Sequence, residues 1–375
     1  MLPLTLSTSQ SVHWTAPEGL DRRASDVSIA SGKSLVVTAN PLASKAALKT
    51  LKNGGSAMDA VISAQTVLSV VEPQSSGLGG GSFLLYWDQL QEKLYALDGR
   101  ERASSEATED MWLGNDGEPL SWLTATSTIS SIGVPGTPAV LWDGHQRFGR
   151  LPWAKNFEQS ISLAREGFIP SPRLIKSISL ARQIGVGHSQ AFQSLYLPNG
   201  KLLSGKLVFK NHSLASTLTN FSIGGVDEFY RGSIGRRLIN DINRQQTRSG
   251  LVQKISYADL ASYRVEERRP LCRHFRIWNI CTFPPPSGGG LAILQTLGIY
   301  EQLSNRDWTE ATVNYWHTLA ESLKLADADR SHWIGDPIDW PIPLEGLLAD
   351  TYIIERSRNI KFYRSINFPL PGIPE

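Results

Sequence analysis

The clearest hydrophobic pattern predicts a helix that begins at residue 41. Asn40 followed by Pro41 is typical of a helix start, with a capping side chain before a proline at the first helical position. Apolar residues then recur on one side from Ala43 to Leu51, and the pair Gly54-Gly55 follows as a stop signal. We therefore expect an amphipathic helix here.

The next segment, AMDAVISAQTVLSVV, is small or apolar almost all round. Ser56 precedes it, and Asp59 follows three positions later, which is the spacing of a capping box. A helix with no polar face has no side to present to water. The pattern therefore predicts a second helix, buried deep in a layered fold.

Strand-like and helical segments intermix along the rest of the chain. SFLLYW and KLYALDG are strand-like runs joined by a polar turn, and PLCRHFRIWNICTF is a candidate hairpin. Three further segments are predicted to be helical: NFEQSISLAREGF, LAILQTLGIYEQL and ATVNYWHTLAESLKLADADR. This intermixing favours an α/β or layered α+β fold.

Composition and charge narrow the range of partners. The 375 residues, 41% of them hydrophobic, are enough for a large core. Lys and Arg number 37 against 35 Asp and Glu, so the formal net charge of +2 gives no reason to expect nucleic acid or an anionic membrane as a partner. No apolar run approaches the roughly 18 residues of a membrane span. The start shows no intact signal peptide, and a chain whose signal had been removed would look the same.

The two cysteines lie in the candidate hairpin. With Arg276 and Ile277 at its tip, Cys272 and Cys281 fall opposite each other on paired strands, within reach of a disulfide. Two buried thiols are the alternative, because Arg-Ile is poor chemistry for a two-residue turn. Two cysteines do not make a structural zinc site, and the seven histidines show no metal-ligand spacing. We predict no metal and no cofactor.

Two glycine-rich segments raise the question of a phosphate site. The first has glycine at four of the five positions 77–81, but it follows a helix and precedes a strand, unlike nucleotide-binding loops. Close backbone packing is the favoured interpretation. The second, PPPSGGG at 284–290, has strand-loop-helix order but no following lysine, which favours a rigid wall or the lining of a pocket.

No complete catalytic set is visible in the chain. It has no GxSxG elbow and no SxxK motif. We interpret His317 as a packed, hydrogen-bonded histidine, and the DADR segment at 327–330 and the GDP segment at 335–337 as caps and ion pairs. The residues therefore predict binding groups without a nucleophile.

Arg100, in LDGRERAS, is the candidate binding residue. It comes where a strand-like run gives way to a loop, a position from which side chains tend to reach into pockets. Its guanidinium can hold a carboxylate through two parallel hydrogen bonds. An ion pair with Glu101 or Glu106 is the alternative.

Nine segments form an ordered series over roughly residues 35 to 360. They are NPLASKAALKTLKNGGSAMDAV, VVEPQSSGLGGGSFLLY, LDGRERAS, IGVPGTPAVLW, LPWAKNFEQSISLAREGF, EFYRGSIG, ISYADLASYRVEERRPL, FPPPSGGG and LADADRSHWIGDPIDWPIPLEGLL. This series resembles the large subunit of the γ-glutamyltransferases (γ-glutamyltranspeptidases), which are N-terminal-nucleophile hydrolases.

The resemblance implies a fold and a processing history. It implies an αββα sandwich completed by a separate small subunit, with residues 1–34 as a partly flexible N-terminal extension and 35–375 as the large subunit. Enzymes of this family are made as one precursor that cuts itself before a threonine, which becomes the nucleophile of the small subunit. No catalytic residue is then expected in this chain, and Glu375 is expected at the processing site.

The resemblance also implies a role for Arg100. LDGRERAS is similar to the family's D-x-R-E-x-A-P pattern, whose arginine holds the α-carboxylate of the γ-glutamyl group, although Ser104 replaces the usual proline. The implied activity is γ-glutamyl transfer or hydrolysis, acting on glutathione and related amides in the periplasm or outside the cell. The alternatives are a glutaryl or cephalosporin acylase, a polyglutamate capsule enzyme, and a non-catalytic γ-glutamyl-binding homologue.

Overall fold

The structure, a computed structural model, describes residues 31–114, 116–184, 189–249, 254–304, 309 and 311–375. Residues 1–30 of the expected N-terminal extension lie outside the described residues, and the boundary expected after residue 34 stays a prediction. The described helices are α1 Pro41–Lys52, α2 Ala57–Val71, α3 Trp122–Thr126, α4 Thr137–Phe148, α5 Glu158–Glu166, α6 Pro172–Gln183, α7 Gln190–Tyr196, α8 His212–Tyr230, α9 Ser233–Ser249, α10 Tyr257–Ser262, α11 Gly288–Leu303, α12 Val313–Trp333, α13 Leu344–Leu348 and α14 Asp350–Ser357. The described strands are β1 Ser82–Asp88, β2 Lys93–Gly99, β3 Glu266–Arg268, β4 Leu271–Phe275 and β5 Trp278–Thr282.

The described chain divides into two compact units. The first takes the described residues up to Gly81 together with Arg100–Arg264, and the second takes Ser82–Gly99 together with Val265–Glu375. Helices α1–α10 therefore belong to the first unit, whereas the five strands and helices α11–α14 belong to the second. None of the helices in the described part of the chain is long and apolar enough to cross a membrane.

Both predicted helix starts in the first unit are confirmed. Asn40 caps α1, because its side chain accepts a hydrogen bond from the Leu42 amide at 2.9 Å. Ser56 and Asp59 form the capping box of α2, with the Ser56 amide donating to the Asp59 carboxylate at 2.8 Å. Eleven of the 15 residues of α2 are buried, so the prediction of a deeply buried helix is confirmed.

Asp59 carries a buried charge that ties α2 to the segment after α4. Its carboxylate accepts hydrogen bonds from the amides of Arg150 and Leu151, at 2.9 and 3.2 Å. The side chain of Asn156 donates to it at 3.0 Å. Burial disfavours the charged form, but these hydrogen bonds and those from Ser56 outweigh it and hold the pKa of Asp59 below 3.8.

The second unit contains a three-stranded antiparallel sheet and a separate hairpin. The sheet has the order β1-β2-β3, and Ser82 pairs with Gly99 at one end of the β1–β2 register, which confirms the two predicted strands. In the hairpin, Cys272 lies opposite Cys281. The two form a disulfide with their Cα atoms 4.1 Å apart, so the disulfide alternative is the one realised.

Helix α11 begins at Gly288 rather than at Leu291, where the apolar pattern starts. The glycines of PPPSGGG are its first turn, and the predicted strand-loop-helix order is confirmed. A Cβ atom at Gly290 would overlap the carbonyl oxygen of Phe283, at the end of the hairpin. Glycine is therefore needed here because the helix start packs directly on backbone.

A second buried carboxylate, Asp329, fixes the C-terminal segment onto α12. It accepts hydrogen bonds from the Tyr352 hydroxyl and the Gly372 amide, each at 2.9 Å. The guanidinium of Arg356 lies 3.0 Å away and also donates to the Leu370 carbonyl at 2.9 Å. The interpretation of the DADR segment as a source of ion pairs is confirmed.

We predict that Asp59→Asn lowers the free energy of unfolding by roughly 2–4 kcal/mol, because an amide at this position cannot accept hydrogen bonds from all of its donors. Urea unfolding at neutral pH measures the change. Glu109→Gln, which removes an exposed carboxylate from the same unit, is the control and should be neutral.

The difference in free energy of unfolding between wild type and Asp59→Asn should depend on pH. Because the folded pKa of Asp59 lies below 3.8, its stabilisation is fully present above that pH and is lost as the pH falls through the folded pKa. The difference between wild type and Asp59→Asn should therefore shrink in strong acid. A difference that grows below pH 3.8 would contradict the lowered pKa.

Candidate substrate-binding site

A cavity of about 510 Å³ opens in the first unit beside the glycine-rich loop. Its lining comes from three stretches of chain that are distant in sequence: Gly79, Arg100–Ala103 and Ser131–Gly133. Arg100, the predicted binding residue, is therefore a lining residue of this cavity.

Backbone contacts bring the three stretches together. The carbonyl oxygen of Gly80 accepts hydrogen bonds from the amides of Gly136 and Thr137, both at 3.0 Å, at the start of α4. Arg102 and Val134 exchange a pair of backbone hydrogen bonds of 3.3 and 2.8 Å. The loop, the Arg100 segment and the segment before α4 thus form one connected wall.

Gly81 shows why the loop is rich in glycine. A Cβ atom at Gly81 would lie 2.5 Å from Glu101 Oε2 and 2.6 Å from the Glu101 amide nitrogen. Real Cβ atoms do not approach backbone so closely, so only glycine fits. Nothing lies within 4 Å of a Cβ atom built at Gly79, which lines the cavity. The close-packing interpretation of the loop is confirmed at Gly81.

Arg100 forms one of the ion pairs that were the alternative to a binding role. Its Nε lies 3.4 Å from Glu101 Oε2, so the ion pair with Glu101 is present. The side chain is also 63% exposed and lines the cavity. Exposed ion pairs contribute at most about 1 kcal/mol, so the contact with Glu101 is a weak one.

Ser104 gives the loop after Arg100 a hydrogen bond where the family has a proline. Its hydroxyl donates to the Lys254 carbonyl at 2.5 Å and accepts from the Glu106 amide at 3.1 Å. The neighbouring Ser105 amide donates to Asp259 at 3.2 Å. With serine in place of proline at position 104, this segment is therefore held by hydrogen bonds.

Tyr263 is a residue of this site that sequence reasoning missed. It is buried, and its hydroxyl donates to the carbonyl oxygen of Arg100 at 2.7 Å. The tyrosine lies within ISYADLASYRVEERRPL, one of the segments that carry the family resemblance. That membership was the available signal, but it did not indicate which residue Tyr263 contacts.

The remaining candidates lie in the second unit and do not line this cavity. The backbone of Glu375 packs against Gly346 so closely that no Cβ atom fits there. His317 Nε2 lies 3.0 Å from the Lys361 carbonyl oxygen, which confirms a hydrogen-bonded histidine. Asp336, in the GDP segment, caps a turn by accepting from the Ile338 amide at 3.0 Å. No group of three or more potential metal ligands occurs among the described residues.

Comparison with known proteins gives the family. The model of the family described as gamma-glutamyltranspeptidase matches residues 43–369. The chain belongs to the γ-glutamyltranspeptidase family. A glutathione hydrolase proenzyme of Bacillus subtilis (strain 168) is 32% identical over 340 residues, which are 91% of this chain and 57% of that protein. The chain thus spans little more than half the length of this relative.

The chain is also similar to a solved structure and to a relative that is named an acylase. A γ-glutamyltranspeptidase from Pseudomonas nitroreducens complexed with L-DON matches with a TM-score of 0.80 at 31% identity, covering 90% of this chain and 98% of that one. The predicted layered fold of the N-terminal-nucleophile hydrolases is confirmed by this likeness. The Acylase ACY 1 proenzyme of Pseudomonas sp. (strain SE83) is 31% identical over 334 residues, 86% of this chain and 58% of that protein.

We predict that Gly81→Ala lowers the free energy of unfolding by about 1–3 kcal/mol, because the added methyl group must displace the Glu101 backbone. Gly79→Ala is the matched control, since it adds the same methyl group to the same loop in open space, and its effect should stay below about 1 kcal/mol. Urea unfolding measures both. Equal losses in the two variants would contradict the packing role of Gly81.

Proposed function

We propose that this protein is one part of an enzyme that transfers or hydrolyses the γ-glutamyl group of glutathione and similar amides. The observation that carries the proposal is the position of Arg100, a guanidinium on the wall of a cavity within the family's arginine-containing motif. A γ-glutamyl group has a free α-carboxylate, which a guanidinium binds through two parallel hydrogen bonds.

The chemistry needs a nucleophile from outside the residues described here. In the proposed reaction a threonine hydroxyl of a partner chain attacks the γ-carbonyl carbon, and the threonine's own α-amine takes the hydroxyl proton. The amine half of the donor leaves with a proton, and the acyl group remains as an ester. Water or an amine then attacks the ester and releases the threonine. Arg100 acts through binding and orientation of the donor.

Relatives support this assignment of substrate. The similar Bacillus subtilis protein is named a glutathione hydrolase proenzyme, and glutathione is a γ-glutamyl amide. The disulfide between Cys272 and Cys281 supports an exported location, periplasmic or secreted, because such bonds persist in oxidising compartments.

We further propose that Glu375 precedes the bond that is cut in a longer precursor. The proenzyme name of the Bacillus subtilis relative, of which this chain spans 57%, supports a cleaved precursor. The solved Pseudomonas nitroreducens chain, of which 98% is matched, supports a separate chain of this extent. The anchoring of Gly372 on Asp329 would hold the segment that leads to the cut bond.

We predict that Arg100→Ala raises KM for a γ-glutamyl anilide by roughly 10- to 100-fold, the loss expected for hydrogen bonds to a charged group. Arg100→Lys keeps the charge without the two-pronged geometry and should give an intermediate rise. Arg244→Ala is the control, because Arg244 is also exposed and also lies 3.4 Å from a nearby acid, Asp241. An unchanged KM in Arg100→Ala would remove the binding role.

We predict that a second chain co-purifies with this one when the precursor is expressed, and that N-terminal sequencing of that chain finds threonine first. Arg100→Ala should leave this self-cleavage intact, because the arginine binds the donor and not the cut bond. A co-purifying chain that begins with another residue would support a non-catalytic γ-glutamyl-binding protein.

The likeness to Acylase ACY 1 keeps an acylase as the second candidate. Hydrolysis of a γ-glutamyl anilide compared with a glutaryl anilide separates the two activities, because only the first substrate carries an α-amine beside its free carboxylate. Preference for the glutaryl substrate would favour the acylase, and Arg100 would then bind the equivalent terminal carboxylate of the glutaryl group.

A further inference from the structure

Tyr263 contacts both arginines of the cavity wall. Its hydroxyl donates to the Arg100 carbonyl oxygen at 2.7 Å, and the guanidinium carbon of Arg102 lies 5.5 Å from the centre of its ring. The side chain follows directly after α10 and is only 5% exposed. A buried hydroxyl needs a partner, and here that partner is the backbone of the predicted substrate-binding residue.

Tyr230 extends this contact to the segment before α4. Its ring stacks on that of Tyr263, with centroids 5.6 Å apart and planes inclined by 9°. Its hydroxyl, at the end of α8, donates to the Pro135 carbonyl oxygen at 2.5 Å. Pro135 directly follows Val134, the residue that pairs with Arg102. The stacked tyrosines therefore connect the backbone of Arg100 to that of Pro135.

These contacts give Tyr263 a role that apolar packing alone would not. A hydrogen bond to the carbonyl of Arg100 fixes the peptide plane from which that residue's side chain departs. The stacking on Tyr230 fixes the ring, so the hydroxyl has a defined position relative to the Arg100 segment. A side chain that only filled space would need neither hydroxyl.

We propose that Tyr263, supported by Tyr230, is a positioning residue that aims the Arg100 guanidinium at the carboxylate of the donor. This inference rests on the proposed γ-glutamyl activity. Without the Tyr263 hydroxyl, the Arg100 segment loses its fixed orientation, and the donor binds more weakly. Once bound, the donor reacts with the same nucleophile, so the rate of the bound complex is preserved.

The test is Tyr263→Phe in the assembled enzyme, which removes one hydroxyl and keeps the stacked ring. We expect KM for the γ-glutamyl anilide to rise about three- to tenfold, the range for one buried hydrogen bond, with kcat within about twofold of wild type. Tyr257→Phe is the matched control: it lies at the other end of α10, and its hydroxyl donates to the Arg231 carbonyl, outside the cavity lining. Its KM should equal that of wild type.

A double-variant cycle separates positioning from general support of the fold. In the Arg100→Ala background, Tyr263→Phe should leave KM unchanged, because no guanidinium remains to be aimed. The melting temperature monitors folding in every variant. If Tyr263→Phe does not fold, Tyr230→Phe replaces it, with an expected rise in KM of about two- to threefold that also vanishes in the Arg100→Ala background.

The outcomes distinguish this inference from the proposed function. A wild-type KM in Tyr263→Phe, or a rise that persists undiminished without Arg100, overturns the positioning role and leaves the γ-glutamyl activity standing. If the wild-type enzyme hydrolyses no γ-glutamyl anilide, the proposed function and this inference both fail.

Discussion

Beside the cavity, two stretches of backbone, at Gly81 and Glu101, meet with no side chain between them. The residue at the meeting point must be glycine, since a methyl group there would overlap the Glu101 amide. This contact places Arg100 at the edge of the glycine-rich loop and lets the Glu101 carboxylate lie against its guanidinium. The loop therefore contributes to the site by allowing backbone to approach backbone closely.

Each compact unit contains a fully buried carboxylate that collects hydrogen-bond donors from separate segments. In the first unit, Asp59 collects donors from the start of α2 and from the segment after α4. In the second, Asp329 collects donors from α14 and from the C-terminal segment. A buried charge that is fully hydrogen-bonded holds its partners in one geometry, because each lost donor leaves the charge less compensated. Apolar packing gives these units their core, and the two carboxylates hold particular loops against it.

Local signals explain which parts of the fold the sequence predicts well. The caps at Asn40 and Ser56, the paired strands β1 and β2, and the cysteine hairpin all depend on residues that are close together in the chain. The sequence does not predict helix α8, because Gly224 and Gly225 interrupt the helical pattern of its residues. Gly225 has a φ of 58°, and a Cβ atom there would lie 2.5 Å from the ring of Trp142. Glycine is therefore required at this position by a tertiary contact, which the local sequence does not reveal.

In the candidate site, too, local sequence predicts one residue and a tertiary contact explains another. Arg100 could be found from its motif, because its neighbours in the sequence carry the family pattern. Tyr263 could not, since its partner Arg100 lies 163 residues earlier and nothing in the local sequence names it. Even for Arg100, the residues alone favour an ion pair with Glu101 or Glu106 over a binding role, and the structure contains the ion pair with Glu101 beside the cavity.

The cross-strand disulfide has a consequence for strand alignment. A slip of one residue between β4 and β5 would move every side chain of the slipped strand to the opposite face. Cys272 and Cys281 are directly opposed, so such a slip cannot occur while their covalent bond is intact. Arg273 is thereby kept on the side where it donates to the Leu348 carbonyl at 2.8 Å and to Asp350 at 2.7 Å. The disulfide thus determines which face of the hairpin contacts the rest of its unit.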